Sequence, residues 1–239
     1  VERLKAELES APQDAAKKAA SRAAAARDRL TRIDRALAEL PKVREIKPEA
    51  KRPEARVSST DPEARVMKMG DGGFRPAYNA QFTTDTKSRV VASALVTNQG
   101  NDYGLMPPAL RDVEVRTGGV PHDHLVDGGF VVKEDIESAA AGGTTVYAPV
   151  PKSRSSGLDP HQPRQDDAPA VAQWRARMAT PEAKKIYKLR AATAETVNAD
   201  LKCFRGLDRF RVRTLPKVTC VVLWSVLAYD IMRLFALTP

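Results

Sequence analysis

The sequence predicts an α/β chain with a helical segment at its N-terminus and helices at its C-terminus. Three observations carry this reading. Residues 1–40 hold twelve alanines among alternating charges. Residues 77–150 set β-branched runs between segments of helix length. Residues 181–205 and 218–236 have helical composition, the first of them behind a strong start signal.

Alanine, leucine, glutamate, lysine and arginine are the best helix formers. Leu30, Ile33, Leu37 and Leu40 repeat at 3-4-3 spacing, a narrow apolar stripe. Pro12 starts or breaks a helix and Pro41 closes it, which gives two helices or one interrupted helix. The stripe spans under two heptads, which favours a solvated helix packed along one edge over a coiled-coil seam. Residues 41–62 contain four prolines and few apolar positions and read as a linker. Asp71-Gly72-Gly73 is a turn signal. Residues 77–83 alternate as a strand, 84–88 turn, and 90–97 form a β-branched strand, together a hairpin. A helix of about a dozen residues follows and ends near Thr117-Gly118-Gly119.

Residues 124–127 are a short apolar strand stopped by Gly128-Gly129. A helix over 133–140 ends at Gly142-Gly143, and 144–150 is another strand. Strands separated by helices of this length pair in parallel. Residues 151–170 hold four prolines without periodicity and form a loop. Thr180-Pro181-Glu182 combines an N-cap, a first-position proline and a first-turn acid, and starts a helix running to about Arg205. Residues 218–236 are apolar nearly all round, which predicts a buried helix. The implied organisation is a helical segment or stalk at 1–50, a linker at 51–66, an α/β core at 67–150, a loop and short helix at 151–179, and C-terminal helices at 180–239.

Composition narrows the function classes. The 239 residues carry 39 Lys and Arg against 30 Asp and Glu, a net charge of +9. With 29% charged and 42% hydrophobic residues the chain is neither wholly disordered nor a membrane bundle. The longest uncharged run, 218–229, is short for a bilayer crossing, so no membrane partner is expected. Cys203 and Cys220 are the only cysteines, too few for a disulfide scaffold or a four-thiolate zinc site. With no signal-peptide pattern at the start, the expected place is the cytoplasm. The excess positive charge makes nucleic acid a partner class, through non-specific attraction first. Phosphate-cradling glycine loops, dinucleotide fingerprints and serine nucleophile elbows are all missing from the sequence.

Two features point to chemistry. Asp127 falls at the carboxyl end of a predicted buried strand, where open α/β sheets bind ligands, and also suits a turn-capping role. Tyr187, Arg190, Glu195 and Lys202 fall within one arc of about 140° on a regular helix. That face sets a carboxylate among two cations and a phenol, suited to a metal at Glu195 and phosphates at Arg190 and Lys202, or to an ordinary solvated face. Residues 118–150 carry a net charge of −4 and residues 181–217 one of +6. An acidic strand end facing a basic helix suits a metal-dependent phosphodiester enzyme, and ordinary domain packing as well. His122 and His124 share one face of a strand, but no nearby third ligand favours a metal there over a polar loop entering the strand. Tyr103, Trp174 and Trp224 are isolated aromatics expected in the core.

Five stretches, taken together, carry a resemblance. They are 59–68 (S-T-D-P-E-A-R-V-M-K), 73–81 (G-F-R-P-A-Y-N-A-Q), 96–102 (V-T-N-Q-G-N-D), 126–130 (V-D-G-G-F), and the helix bearing Tyr187, Arg190, Glu195 and Lys202. In this order they resemble the C-terminal part of a bacterial insertion-sequence transposase of the DDE type with a Y-R-E-K signature, over about residues 58–236. The resemblance implies a ribonuclease-H-like fold, incomplete here, and a centre of three carboxylates holding two Mg2+ ions. Asp127 matches the second aspartate and Glu195 the glutamate, both catalytic and metal-binding. Tyr187, Arg190 and Lys202 match the residues that handle transposon-end DNA. The family's first aspartate lies on a first strand that has no counterpart here, because Val1 falls inside the helical insertion that follows it. Asp85, in the hairpin turn, is not its equivalent. The expectation is a DNA transposase fragment that cleaves and joins DNA in the longer protein and is inactive or nearly so alone.

Two other readings stand beside it. One is a non-catalytic DNA-binding remnant, alone, as a homodimer or paired with an intact transposase. The other is a helical interaction protein using residues 1–50 as a dimerisation stalk. With DNA as partner, the expected localisation is the cytoplasm at the nucleoid.

Overall fold

The structure, a computed structural model, describes residues 2–9, 17–152 and 158–238. Pro12, expected to start or break a helix, lies outside the described residues. Two helices open the chain, α1 (Glu2–Glu9) and α2 (Lys17–Ile46). Helix α2 runs through Pro41 rather than closing there. Proline removes one ladder hydrogen bond, and the strong helix formers around it carry the helix past that gap. After a 3-10 turn at Glu49–Glu54, strands β1 (Arg65–Lys68) and β2 (Phe74–Ala77) pair antiparallel. Their tight turn puts Gly72 at φ 82°, which L side chains rarely adopt.

Next come β3 (Asn79–Thr84), β4 (Val91–Thr97), α3 (Met106–Thr117), β5 (Asp123–Leu125), α4 (Lys133–Ala141) and β6 (Thr145–Tyr147). Then follow α5 (Pro169–Ala179), α6 (Pro181–Arg190), a π-helical segment (Ala191–Glu195), α7 (Thr196–Cys203) and α8 (Leu215–Leu237). Among the described residues the strands form three two-stranded sheets, β1·β2, β3·β4 and β5·β6, the last parallel as the spacing predicts. The architecture is a mixture of helices and small sheets.

The chain divides into two compact units. The first comprises 1–79, 97–100 and 211–218. Here the D-P-E stretch makes long-range bonds that no local pattern announces. Asp61 Oδ2 accepts from Tyr78 Oη at 2.9 Å and from the Thr214 amide at 3.0 Å. Glu63 accepts from the Leu215 amide at 2.7 Å, and Asn98 donates to the Glu63 carbonyl at 3.0 Å. The two carboxylates thus cap the start of α8, where free amides and the helix dipole favour negative charge. Thr214 sits at φ 74°, a strained conformation for a β-branched residue, and these caps hold it. Burial, followed by the Asp61 carboxylate, pushes the Tyr78 phenol up, so it stays a donor.

The second unit comprises 80–96, 101–210 and 219–239. Its core gathers Met106, Val126, Ile136, Val146, Val171 and Trp174 from strand, loop and helix. Trp174 donates its indole N–H to the Ala148 carbonyl at 3.1 Å, satisfying the one polar atom of a fully buried ring. His124, on β5, is buried, and burial lowers its pKa to about 4, so the imidazole is neutral at pH 7. His122 is exposed and pairs with Asp123 at 3.0 Å. The two histidines therefore do not share a metal-binding face. Asp167 is pushed up by its burial, yet Lys133, the Arg164 amide and Arg175 hold it down at about 2.

Helix α8 departs from the expected buried helix. Only the stripe Val218, Val222, Val226 and Tyr229 is buried, while Trp224, Met232, Leu234 and Phe235 are exposed. At 23 residues, with a mean hydropathy of 1.8 over its apolar window, it is long and apolar enough to cross a membrane, unlike the twelve-residue run. Polar anchors also tie it to the hairpin. Asp230 accepts from the Val91 amide at 2.9 Å, and Arg233 donates to the Ser88 carbonyl at 2.8 Å. Tyr103 and Trp224 are exposed, so of the three isolated aromatics only Trp174 is in the core. Helix propensity and apolar count do not say how many neighbours a helix finds, which is why the sequence overstated the burial.

Candidate functional site

Strand β5 and the turn behind it present Asp127. Val126 continues the pairing beyond β5, donating to the Tyr147 carbonyl at 3.0 Å, and is buried. Gly128–Phe130 then make one 3-10 turn, which Asp127 caps. Its Oδ1 accepts from the Gly129 amide at 2.8 Å. The carboxylate is therefore fixed by its own loop but left at the surface, 42% exposed.

Helix α6 supplies the other half. Thr180 caps it, accepting from the Ala183 amide at 3.2 Å, and Pro181 fills the first position, as the sequence predicts. Ile186 and Tyr187 pack against the unit's apolar core, which docks the helix beside the end of β5. Arg190, one turn beyond Tyr187, donates from Nη2 to Asp127 Oδ2 at 3.0 Å across 63 residues of sequence. Burial pushes the Tyr187 phenol up, and it lies within the electrostatic reach of Arg190 and Asp127. Tyr187, Arg190 and Asp127 are thus one cluster in which a strand-end acid meets a helix-borne base.

Glu195 and Lys202 are exposed, and neither makes a hydrogen bond or ion pair among the described residues. The regular-helix arc expected for all four signature residues does not hold, because residues 191–195 are π-helical. On an α-helix, residues five apart lie about 140° apart. A π-turn closes its hydrogen-bonded ring over five residues, so Arg190 and Glu195 lie roughly one above the other, and Lys202 is turned away from the arc drawn for a regular helix. Thr193 and Thr196 donate to the Leu189 and Ala192 carbonyls at 2.7 and 2.9 Å. They engage carbonyls in the stretch where the α-helical ladder is interrupted.

Among the described residues no group of three or more His, Cys, Asp or Glu is arranged to hold a metal ion. Two carboxylates do converge. A Cβ built on Gly129 would stand 3.0 Å from Asp127 Oδ1 and 3.1 Å from Asp102 Oδ2. This cradle, lined by hard carboxylate oxygens and open to one side, fits a divalent cation such as Mg2+ in donor type. Asp102 was not singled out from the sequence. Its signal is the N-Q-G-N-D stretch, which marks a loop without saying that the loop returns to Gly129.

A carboxylate at the end of a parallel strand, tied to a basic helix, is the arrangement of a nucleic-acid phosphodiester enzyme. A family model described as transposase DDE domain matches residues 24–231, and the chain belongs to that family. Membership brings DNA as the partner and a divalent metal as the usual cofactor. Comparison with curated proteins and with solved structures found no match.

Proposed function

We propose that this chain is part of a DNA transposase that cleaves and joins phosphodiesters at transposon ends, with Asp127 and Glu195 as metal-binding catalytic carboxylates. The observation that carries it is the Arg190–Asp127 pair, which joins the acidic strand end to the basic helix at 3.0 Å. The π segment supports Glu195 as the partner carboxylate, since it turns that residue toward the face of Arg190. Arg190 and Lys202 neutralise DNA phosphates, and Tyr187 packs beside Arg190 and limits where its guanidinium reaches. Bound Mg2+ supplies charge neutralisation and Lewis acidity at the phosphate. The surrounding fold is read as ribonuclease-H-like, with the parallel β5·β6 pair at its centre. The place of work is the nucleoid of the cytoplasm, with the protein acting alone, as a homodimer or with an intact copy.

These 239 residues contain matches for two of the family's three carboxylates, so the chain by itself is expected to cleave little or no DNA. The test is strand cleavage of transposon-end DNA with Mg2+, using this chain and a longer form carrying the family's first strand. Cleavage by the longer form that is lost in Asp127→Asn and Glu195→Gln supports the reading. Undiminished cleavage by both variants overturns it. Robust turnover by the 239-residue chain overturns the expectation of inactivity.

A further inference from the structure

We propose that Asp102 is a further metal-binding carboxylate, which with Asp127 holds one divalent cation in the cradle above Gly129. The proposal rests on the reading of Asp127 as a metal ligand and adds a residue to it.

Asp102 closes the loop between β4 and α3, and its carbonyl accepts from the Leu105 amide at 3.2 Å, which fixes the turn. Gln81 Nε2 donates to Asp102 Oδ1 at 2.6 Å. The other oxygen, Oδ2, is the one that approaches Gly129. Asp127 has the same division of labour. Arg190 holds Oδ2, while Oδ1 faces the cradle and has lone pairs left after accepting one amide. Each carboxylate is therefore oriented by a bond to one oxygen and presents the other to the same point.

Like charges this close in a half-buried setting repel unless a cation or a shared proton lies between them. The orienting group on Asp102 is a neutral amide rather than a guanidinium, so it aims the carboxylate without cancelling its charge. The glycine gives a second, independent observation. Gly129 does not have a positive φ, so its backbone does not demand glycine. What demands it is space. A Cβ there would press on both carboxylate oxygens at 3.0 and 3.1 Å. A residue without a side chain, at a position whose backbone accepts any residue, keeps the ion's place clear. Hard anionic oxygens select Mg2+, Mn2+ or Ca2+ over softer metals.

The experiment titrates Mn2+ into the 239-residue chain and reads free Mn2+ by electron paramagnetic resonance, with circular dichroism confirming the fold of each variant. Asp102→Asn and Gly129→Ala should each weaken Mn2+ binding by about tenfold or more, as Asp127→Asn does. Gly129→Ala removes no ligand, so it keeps the test alive should Asp102→Asn fail to fold. Wild-type binding by both variants, with loss only in Asp127→Asn, overturns the role of Asp102 and leaves that of Asp127 intact. Undiminished binding in all three overturns both, and a wild-type chain that takes up no Mn2+ overturns the proposal outright.

Discussion

Asp61 and Asp127 both stand in short loops and both accept hydrogen bonds from backbone amides, yet they live in contrasting surroundings. Asp61 is 8% exposed, its bonds go to a phenol and the Thr214 amide, and its Oδ1 is buried without a partner. Asp127 is half-exposed and paired with a guanidinium. A buried carboxylate held by neutral donors is committed to holding the chain, because no ligand reaches it and no charge replaces its partners. An exposed carboxylate held by a mobile cation can exchange that cation for a metal ion or lend it to a phosphate. Two stretches of the same resemblance, D-P-E and D-G-G, thus separate into a joint and a site.

The largest effect expected follows from that separation. Asp61→Ala strands the Tyr78 hydroxyl and the Thr214 amide and uncovers the start of α8, at a cost of about 3–5 kcal/mol. Asp127→Asn loses a half-exposed ion pair and costs under about 1 kcal/mol. Urea unfolding of the two variants reads the difference directly, and equal losses would erase the distinction between joint and site.

Acid sharpens the comparison next, because β5 carries His124 inward just before it presents Asp127. The folded pKa of His124, about 4, lies below the ordinary value of about 6.5. Between these values the unfolded chain binds the extra proton, so stability is complete above pH 6.5 and falls as the pH drops toward 4. The shift corresponds to about 3 kcal/mol. Unfolding midpoints measured from pH 7 to pH 4 should fall in the wild type and less in His124→Phe. An identical fall in both would remove the histidine as the cause.

The smallest effects belong to the DNA-facing cations. Arg190→Ala should weaken DNA binding by roughly 1–3 kcal/mol, since its guanidinium is partly buried and oriented. Lys202→Ala should cost under about 1 kcal/mol, as its ammonium is exposed and unanchored. Both should flatten the fall of log affinity with log salt. Binding isotherms at several salt concentrations check this, and an unchanged slope in Arg190→Ala takes that residue out of contact with phosphate.

The sequence made local features legible. The start at Thr180-Pro181, the lengths of α3 and α4, the hairpin turn and the parallel pairing of β5 with β6 all rest on caps, turn residues and spacing within a few positions. What it concealed depends on partners far away. Asp61 meets Thr214 across 153 residues, and Asp127 meets Arg190 across 63. Such meetings leave no periodicity behind. Asp127 could be named from its strand end, and Arg190 from the resemblance, but nothing local said that they touch. Pro41 misled because one missing hydrogen bond weighs little in a helix of thirty residues. Helix α8 misled because an apolar composition says what a surface prefers and not what covers it. The π segment was invisible because its residues, A-A-T-A-E, suit an ordinary helix equally well.

That segment has a consequence for how sequence length relates to geometry. A single surplus residue, absorbed without breaking the rod, works like a vernier. It leaves the axis in place while resetting the angular phase of everything downstream. Deletions or insertions in 191–195 therefore act on bearing rather than on length, and swing the far half of the rod by roughly 100° for each residue gained or lost. Related chains that align well on either side but differ by one position here would point their acidic side chain along different compass directions, however alike their letters look.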